Sequence, residues 1–166
     1  MQLGVAESNT GKRSAAQVMA NGAVAAIMGL LKWLYPAYAT LFIVMMAASL
    51  ASATADTLSS EFGTVYGRKF YNIITFKKDT RGLNGVISVE GTIIGIIGSA
   101  LIATIYCASF GWDNNFFRII IAGTTGNIAD SVLGATLERK NLIHNNAVNF
   151  FNTLIAAVAA MPLYYA

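Results

Sequence analysis

Five stretches of this chain stay apolar for about the twenty residues that a helix needs to cross the hydrocarbon core of a bilayer. They fall at about 15–34, 37–58, 86–108, 116–137 and 147–165. Inside lipid no water is present to satisfy peptide groups, so each spanning segment must close its own hydrogen bonds as a helix. The expected fold is therefore all-α: a polytopic transmembrane helix bundle of about five spans, forming a single integral membrane domain over 1–166. Composition points the same way. Only 11% of the residues are charged and the mean hydropathy is +0.57, whereas soluble domains carry roughly 25% charged residues. The third and fifth spans are the cleanest, while the first and fourth contain Asn21, Asn127 and Asp130.

Several function classes drop out early. A single cysteine, Cys107, in an apolar run supports neither a disulfide framework nor a cysteine metal site. A single histidine, His144, excludes a histidine cluster. The polar start MQLGVAESNTGKRS has no cleavage-site pattern and leads into further spans, so no signal peptide is expected. Its Gly-Lys pair has the wrong spacing for a phosphate-binding P-loop. No nucleophile elbow, zinc signature or nucleic-acid-binding patch is visible, so no nucleic acid partner is expected.

Cationic residues set the orientation, because lysine and arginine accumulate in cytoplasmic loops. Lys12 and Arg13 precede the first helix; Arg68, Lys69, Lys77, Lys78 and Arg81 separate the second and third; Arg139 and Lys140 separate the fourth and fifth. The opposite side holds Lys32 and Arg118. This predicts a multi-pass protein of the cell membrane with a cytoplasmic N-terminus, a basic cytoplasmic loop at 62–85 and an outside C-terminus. Trp33, Tyr35, Tyr38, Tyr164 and Tyr165 then read as an aromatic belt on the outer side.

Small and polar residues recur at three-to-four spacing on every helix, which places them on one face. The stripes are Gln17, Asn21, Ala25, Gly29; Ser49, Ser52, Asp56, Ser60; Gly91, Gly95, Gly98 after Glu90; Gly123, Asn127, Asp130, Ser131, Gly134, Glu138; and Asn145, Asn149, Asn152, Thr153. Glycines four apart suit close helix packing. Carboxylates at membrane depth are costly and mark polar interiors and function, although Asp56 and Asp130 also suit mutual or amide hydrogen bonding. With alternating helix directions, all five polar segments fall in the same, cytoplasmic half. A cytoplasm-facing cavity lined by carboxylates, amides and hydroxyls, roofed by the basic loop, is the expected site.

Asp56-Thr-Leu-Ser-Ser-Glu61-Phe-Gly63-Thr-Val-Tyr-Gly67-Arg68 is the densest polar segment, and Asp130-Ser131-Val-Leu-Gly134-Ala-Thr-Leu-Glu138 echoes it. Paired carboxylates beside glycine-exposed backbone suit a magnesium ion that bridges phosphate oxygens, with Asp56 and Asp130 as metal ligands. Arg68, Lys69, Lys77, Lys78 and Arg81 suit either further phosphate charge or topology and anionic lipid. Gly82 and Gly85 predict a tight turn returning the loop to the membrane. Asn145, Asn146 and Asn149 suit a sugar, base or phosphate, and equally the capping of helix 5.

The blocks RSAAQVMANG, ATADTLSSEFGTVYGR, GLNGVISVEGTIIG, GNIADSVLGATLE and NNAVNFFNTL resemble, in order and from about residue 7 to 160, the domain of unknown function 92, or transmembrane protein 19, family. Its plant relatives include phytyl-phosphate kinase, and the Asp-then-Gly-x-x-x-Gly-Arg pattern is similar to that of CTP-using lipid enzymes. The resemblance implies that Asp56, Glu61 and Asp130 handle metal and phosphate. It implies that Gly63, Gly67 and Arg68 contact nucleotide phosphate, and that Asn84, Glu90, Asn145 and Asn146 complete the set. Ser60, Lys78, Ser131 and Asn149 join the candidate substrate and nucleotide contacts. Family members usually carry further helices before the block beginning near Gly11, so this chain is expected to be truncated, a fragment, or dependent on a partner, a homo-oligomer included.

The function expected is a membrane phosphotransferase that converts an isoprenyl (phytyl-like) monophosphate to the diphosphate with magnesium and CTP or ATP. A transporter or lipid carrier using the same cavity is the alternative, and a truncated non-catalytic membrane protein is a third. A transporter would continue its polar residues into the outer half, where the stripes stop.

Overall fold

The computed structural model describes residues 14–165; Lys12 and Arg13 of the orientation argument, and Gly11, lie outside them. Five helices form an all-α bundle: α1 (Ala15–Leu34), α2 (Ala39–Tyr66), α3 (Val89–Phe110), α4 (Asn115–Leu133) and α5 (Asn145–Tyr165). Ser14 caps α1 reciprocally with Gln17: Gln17 N donates to Ser14 Oγ at 3.3 Å and Ser14 N to Gln17 Oε1 at 2.8 Å, satisfying amides that a helix start leaves orphaned. Pro36 opens a single 3₁₀ turn, Pro36–Tyr38, that reverses the chain into α2. Four helices are long and apolar enough to cross a membrane, by length and composition. The more polar α4 packs against α2, α3 and α5 and leaves apolar Phe117, Ile121 and Ile128 exposed on its outer face.

The two ends of the bundle differ. Toward the α1–α2 turn the core is apolar and rich in small residues, with Val24, Val44, Ala48, Ala51, Ala103, Ile119, Ala122 and Ala157 at its centre. Trp33, Tyr35, Tyr38 and Tyr165 are exposed at that end. Toward the α2–α3 loop the interior becomes polar.

α2 continues to Tyr66, well past the apolar window that closes near residue 58. Close packing, not hydropathy, sustains this last part. Gly63 is buried, and a Cβ there would stand 2.7 Å from the Gly91 Cα of α3. Farther up the same interface, a Cβ at Gly98 would lie 3.2 Å from the Ala55 Cα. These glycines let the two backbones touch.

The α2–α3 connection adds a small antiparallel pair, β1 (Tyr71–Asn72) with β2 (Val86–Ile87), in the register Tyr71↔Ile87 and Asn72↔Val86. Gly82 and Gly85 take the left-handed backbone that the tight turn requires, at φ 82° and 73°. Gly85 is pressed against Ala135, with no room for a side chain. α4 ends in a π-helical turn, Gly134–Glu138, closed by Arg139 N donating to the Gly134 carbonyl at 3.1 Å. Turns of this kind cluster at functional sites.

Candidate functional site

The polar end encloses a cavity of about 670 Å³ between α2, α3, α4, α5 and the hairpin loop, within the size range of small-ligand pockets. From α2 it takes Asp56, Ser59, Ser60, Glu61 and Gly63; from α4 and its π turn, Asn127, Asp130, Ser131 and Glu138; from α5, Asn145 and Asn149. These positions recur at helical spacing, so each helix turns one face inward. Asn84 enters from the loop.

At its centre Asp56 and Asp130 interact directly with one another, and Glu138 lies close enough for its charge to act on Asp56. A hydrogen-bonded network holds them. Asn152 Nδ2 donates to Asp130 Oδ1 at 2.8 Å, and Ser52 Oγ donates to Asn152 Oδ1 at 3.2 Å. Ser59 Oγ donates to Asn127 Oδ1 at 3.1 Å. Asn152 is fully buried, so its amide has no freedom to turn away, and it orients the Asp130 carboxylate as an anchored partner does. Two carboxylates ringed by hydroxyls and amides are a hard oxygen donor set, of the kind magnesium accepts alongside phosphate oxygens. No group of three or more His, Cys, Asp or Glu forms a fuller metal cage among the described residues.

The remaining candidates are not brought together. Gly67, Arg68, Lys78, Glu90 and Asn146 do not line the cavity, and neither does any other lysine or arginine among the described residues. Arg68, Lys69, Lys77, Lys78 and Arg81 are exposed on the loop. The 62–85 loop does roof the cavity as expected, but through Phe70, Ile73, Phe76 and Leu83, with Val86 and Ile87 just beyond it, and not through its cations. Phe70, Ile73, Val86 and Ile87 are half-buried against the bundle, Phe76 and Leu83 stay exposed at the rim, and the long cationic side chains are left in solvent, where their hydration is kept. A trace of this was legible in the apolar residues punctuating the loop at 70, 73, 76 and 83. Gly67 packs under Phe70 and Ser88, a structural position.

The loop is tied to the end of α4 by Arg139. Its Nε donates to the Asn84 carbonyl at 2.5 Å, and its Nη1 pairs with Asp79 Oδ2 at 2.8 Å. The Thr80 backbone N–H, then the Arg139 guanidinium, hold the Asp79 carboxyl below its ordinary range. Three contributors were not among the sequence candidates: Asn127, Asn152 and Glu138. All lay on the polar stripes, but only helix rotation decides which stripe residues meet.

Across residues 1–157 the chain matches the family described as integral membrane protein DUF92. It is 33% identical over 156 residues to an uncharacterized membrane protein of Methanocaldococcus jannaschii, covering 92% of this chain and 63% of that one. It is 30% identical over 165 residues to the chloroplastic protein VTE6 of Arabidopsis thaliana, covering 95% and 50%. An uncharacterized membrane protein of Synechocystis is 32% identical over 166 residues, covering 96% and 63%. The chain thus spans less than two-thirds of the length of each of these relatives. No solved structure matches it significantly.

Proposed function

This chain belongs to the DUF92 integral membrane family, and we propose that it forms the phosphoryl-transfer site of a prenyl-phosphate kinase. The observation that supports this most is the facing pair Asp56 and Asp130, in a cavity that also takes Glu61 and Glu138 and has no cationic side chain in its wall among the described residues. Phosphate is repelled by such a wall unless a cation accompanies it. Asp56 and Asp130 would hold magnesium, which would neutralise phosphoryl oxygens of CTP or ATP.

The chain's own residues then bind and orient. Asn152 fixes Asp130 through the 2.8 Å hydrogen bond. Asn84, Asn145 and Asn149 offer amides to a nucleotide or head group, Ser60 and Ser131 offer hydroxyls, and the apolar loop residues exclude water from the cavity. Arg68 and Lys78 are left to meet the nucleotide from outside the wall. In the net reaction an oxygen of the prenyl monophosphate bonds to the γ-phosphorus of the triphosphate. The bond from that phosphorus to the bridging oxygen breaks, and the nucleoside diphosphate departs with the electron pair. The loop end faces the cytoplasm of a cell membrane in this reading, with the N-terminus inside and the C-terminus outside, by the charge distribution.

The test is reconstituted protein supplied with phytyl monophosphate, CTP or ATP, and magnesium. Formation of the diphosphate, lost on chelation, supports the reading; no turnover and no nucleotide-dependent thermal shift would remove it. A carrier is the second reading, favoured by the buried hydroxyls of Ser49 and Ser99, which have no hydrogen-bond partner and carry polarity past the cavity into the core. Movement of prenyl phosphate across sealed vesicles without triphosphate consumption would decide for it.

A further inference from the structure

A lipid monophosphate must keep its chain in an apolar environment while its head group reaches the carboxylates. An apolar groove lies next to the carboxylate cavity. It runs beside the start of α3, has a volume of about 400 Å³ and is lined by Tyr71, Phe76, Ile87, Val89, Thr92 and Ile93. Phe76, Ile87, Ser88 and Thr92 line both this groove and the carboxylate cavity, so the two spaces are neighbours divided only by these side chains. On the far side Val89 and Ile93 are 67% and 53% exposed, and Ile96 and Ile97 continue that outward face along α3. The groove therefore opens on the surface that α3 presents to lipid.

Phe76 stands at the junction. Its backbone φ is 53°, a left-handed conformation that is unfavourable for a non-glycine residue. Such geometry persists where the surroundings hold it and is frequent at ligand clamps. Here Asn72 holds the turn: its Oδ1 accepts from Ile74 N at 2.9 Å and Thr75 N at 3.1 Å, and its carbonyl accepts from Phe76 N at 2.9 Å. Phe76, 74% exposed, is thereby held at the rim that the apolar and the polar space share.

We infer that this groove is the binding site for the isoprenoid chain of the substrate, with Phe76 separating chain from head group. The inference rests on the kinase reading for its ligand and adds where the chain lies and which residues select it.

Photolabelling tests it. A prenyl monophosphate bearing a diazirine in its chain is bound to the protein in lipid nanodiscs, irradiated, and the labelled peptides identified. Labels on Tyr71, Phe76, Ile87, Val89 or Ile93, suppressed by unlabelled phytyl monophosphate but not by added phosphatidylcholine, are the expected result. Competed labels on α1 or α5 instead would overturn the groove while leaving the Asp56–Asp130 reading intact. Groove labels competed equally by phosphatidylcholine would make it a general lipid contact and overturn selection by the substrate. No competed label anywhere, together with no turnover, would remove both readings. Ile93→Trp, at an exposed position, should raise KM for phytyl monophosphate ~10-fold and raise it much less for isopentenyl monophosphate. An equal rise for both would count against chain binding in the groove.

Discussion

The Asn152 amide donates to Asp130 Oδ1 at 2.8 Å while its own oxygen accepts from Ser52. One buried side chain on α5 thus joins α2 to α4 at the level where Asp56 meets Asp130. The carboxylate pair is held by an amide that cannot carry charge, which leaves the negative charge of the site for a ligand to balance.

Asp56→Asn and Asp130→Asn should each lower phosphotransfer by ~100-fold or more, the scale of losing one electrostatic contact to a transition state. Neither should unfold the protein, since an asparagine keeps the size of the aspartate and can still accept and donate hydrogen bonds. Turnover together with thermal melting in detergent checks both halves, and the double variant should lose little beyond the single ones.

Asn152→Ala should destabilise the protein by about 1–3 kcal/mol, because Ser52 and Asp130 lose a buried partner. It should also raise the magnesium concentration needed for half-maximal activity. A magnesium titration of the variant, compared with its melting temperature, separates the two effects.

Gly63→Val should be among the most damaging single substitutions at the α2–α3 interface. Its Cβ meets the Gly91 Cα at 2.7 Å, backbone that cannot step aside, and such overpacking costs about 1–3 kcal/mol or more. Gly22→Ala is the control, since a Cβ there meets nothing within 4 Å. Equilibrium unfolding in mixed micelles should rank them so.

Arg139→Ala should loosen the hairpin loop without unfolding the bundle. Amide exchange in 70–86 should rise while α2 and α3 stay protected. Acid should mimic the variant. Asp79 has a lowered folded pKa, held down by the Thr80 N–H and Arg139. Its contribution is therefore full above the ordinary carboxylate value and is lost as pH falls through the lowered one. Exchange measured down a pH series, corrected for intrinsic rates, should show the loop opening at the acid end in the parent and not in Asp79→Asn.

Neutralising Lys78 should leave the cavity's magnesium response unchanged, because Lys78 is exposed on the loop and does not line that wall. Lys78→Gln should show its effect in the KM for nucleotide or in the dependence on anionic lipid. Assays in vesicles with and without phosphatidylserine distinguish these.

The amino-acid sequence by itself determined the class of fold, the approximate spans and the gathering of polarity at one end. Each of these follows from local physics: a segment in lipid must satisfy its own backbone, and helical periodicity assigns its polar residues to one face. The candidates read from helix stripes, Asp56, Ser60, Asp130, Ser131, Asn145 and Asn149, do line one cavity. Only the tertiary structure decided the rest. Whether Asn127 meets Ser59 and Asn152 meets Asp130 depends on how far each helix is rotated, and close approaches such as Gly63 on Gly91 and Gly126 against Ser52 set that rotation. Which role the loop's cations take stayed open for a related reason. A count of lysines and arginines reports which side of a membrane a segment occupies, but not which way its side chains point. The hairpin sets half-buried Phe70, Ile73, Val86 and Ile87 against the cavity and leaves the cations in water, because desolvating a cation is costly.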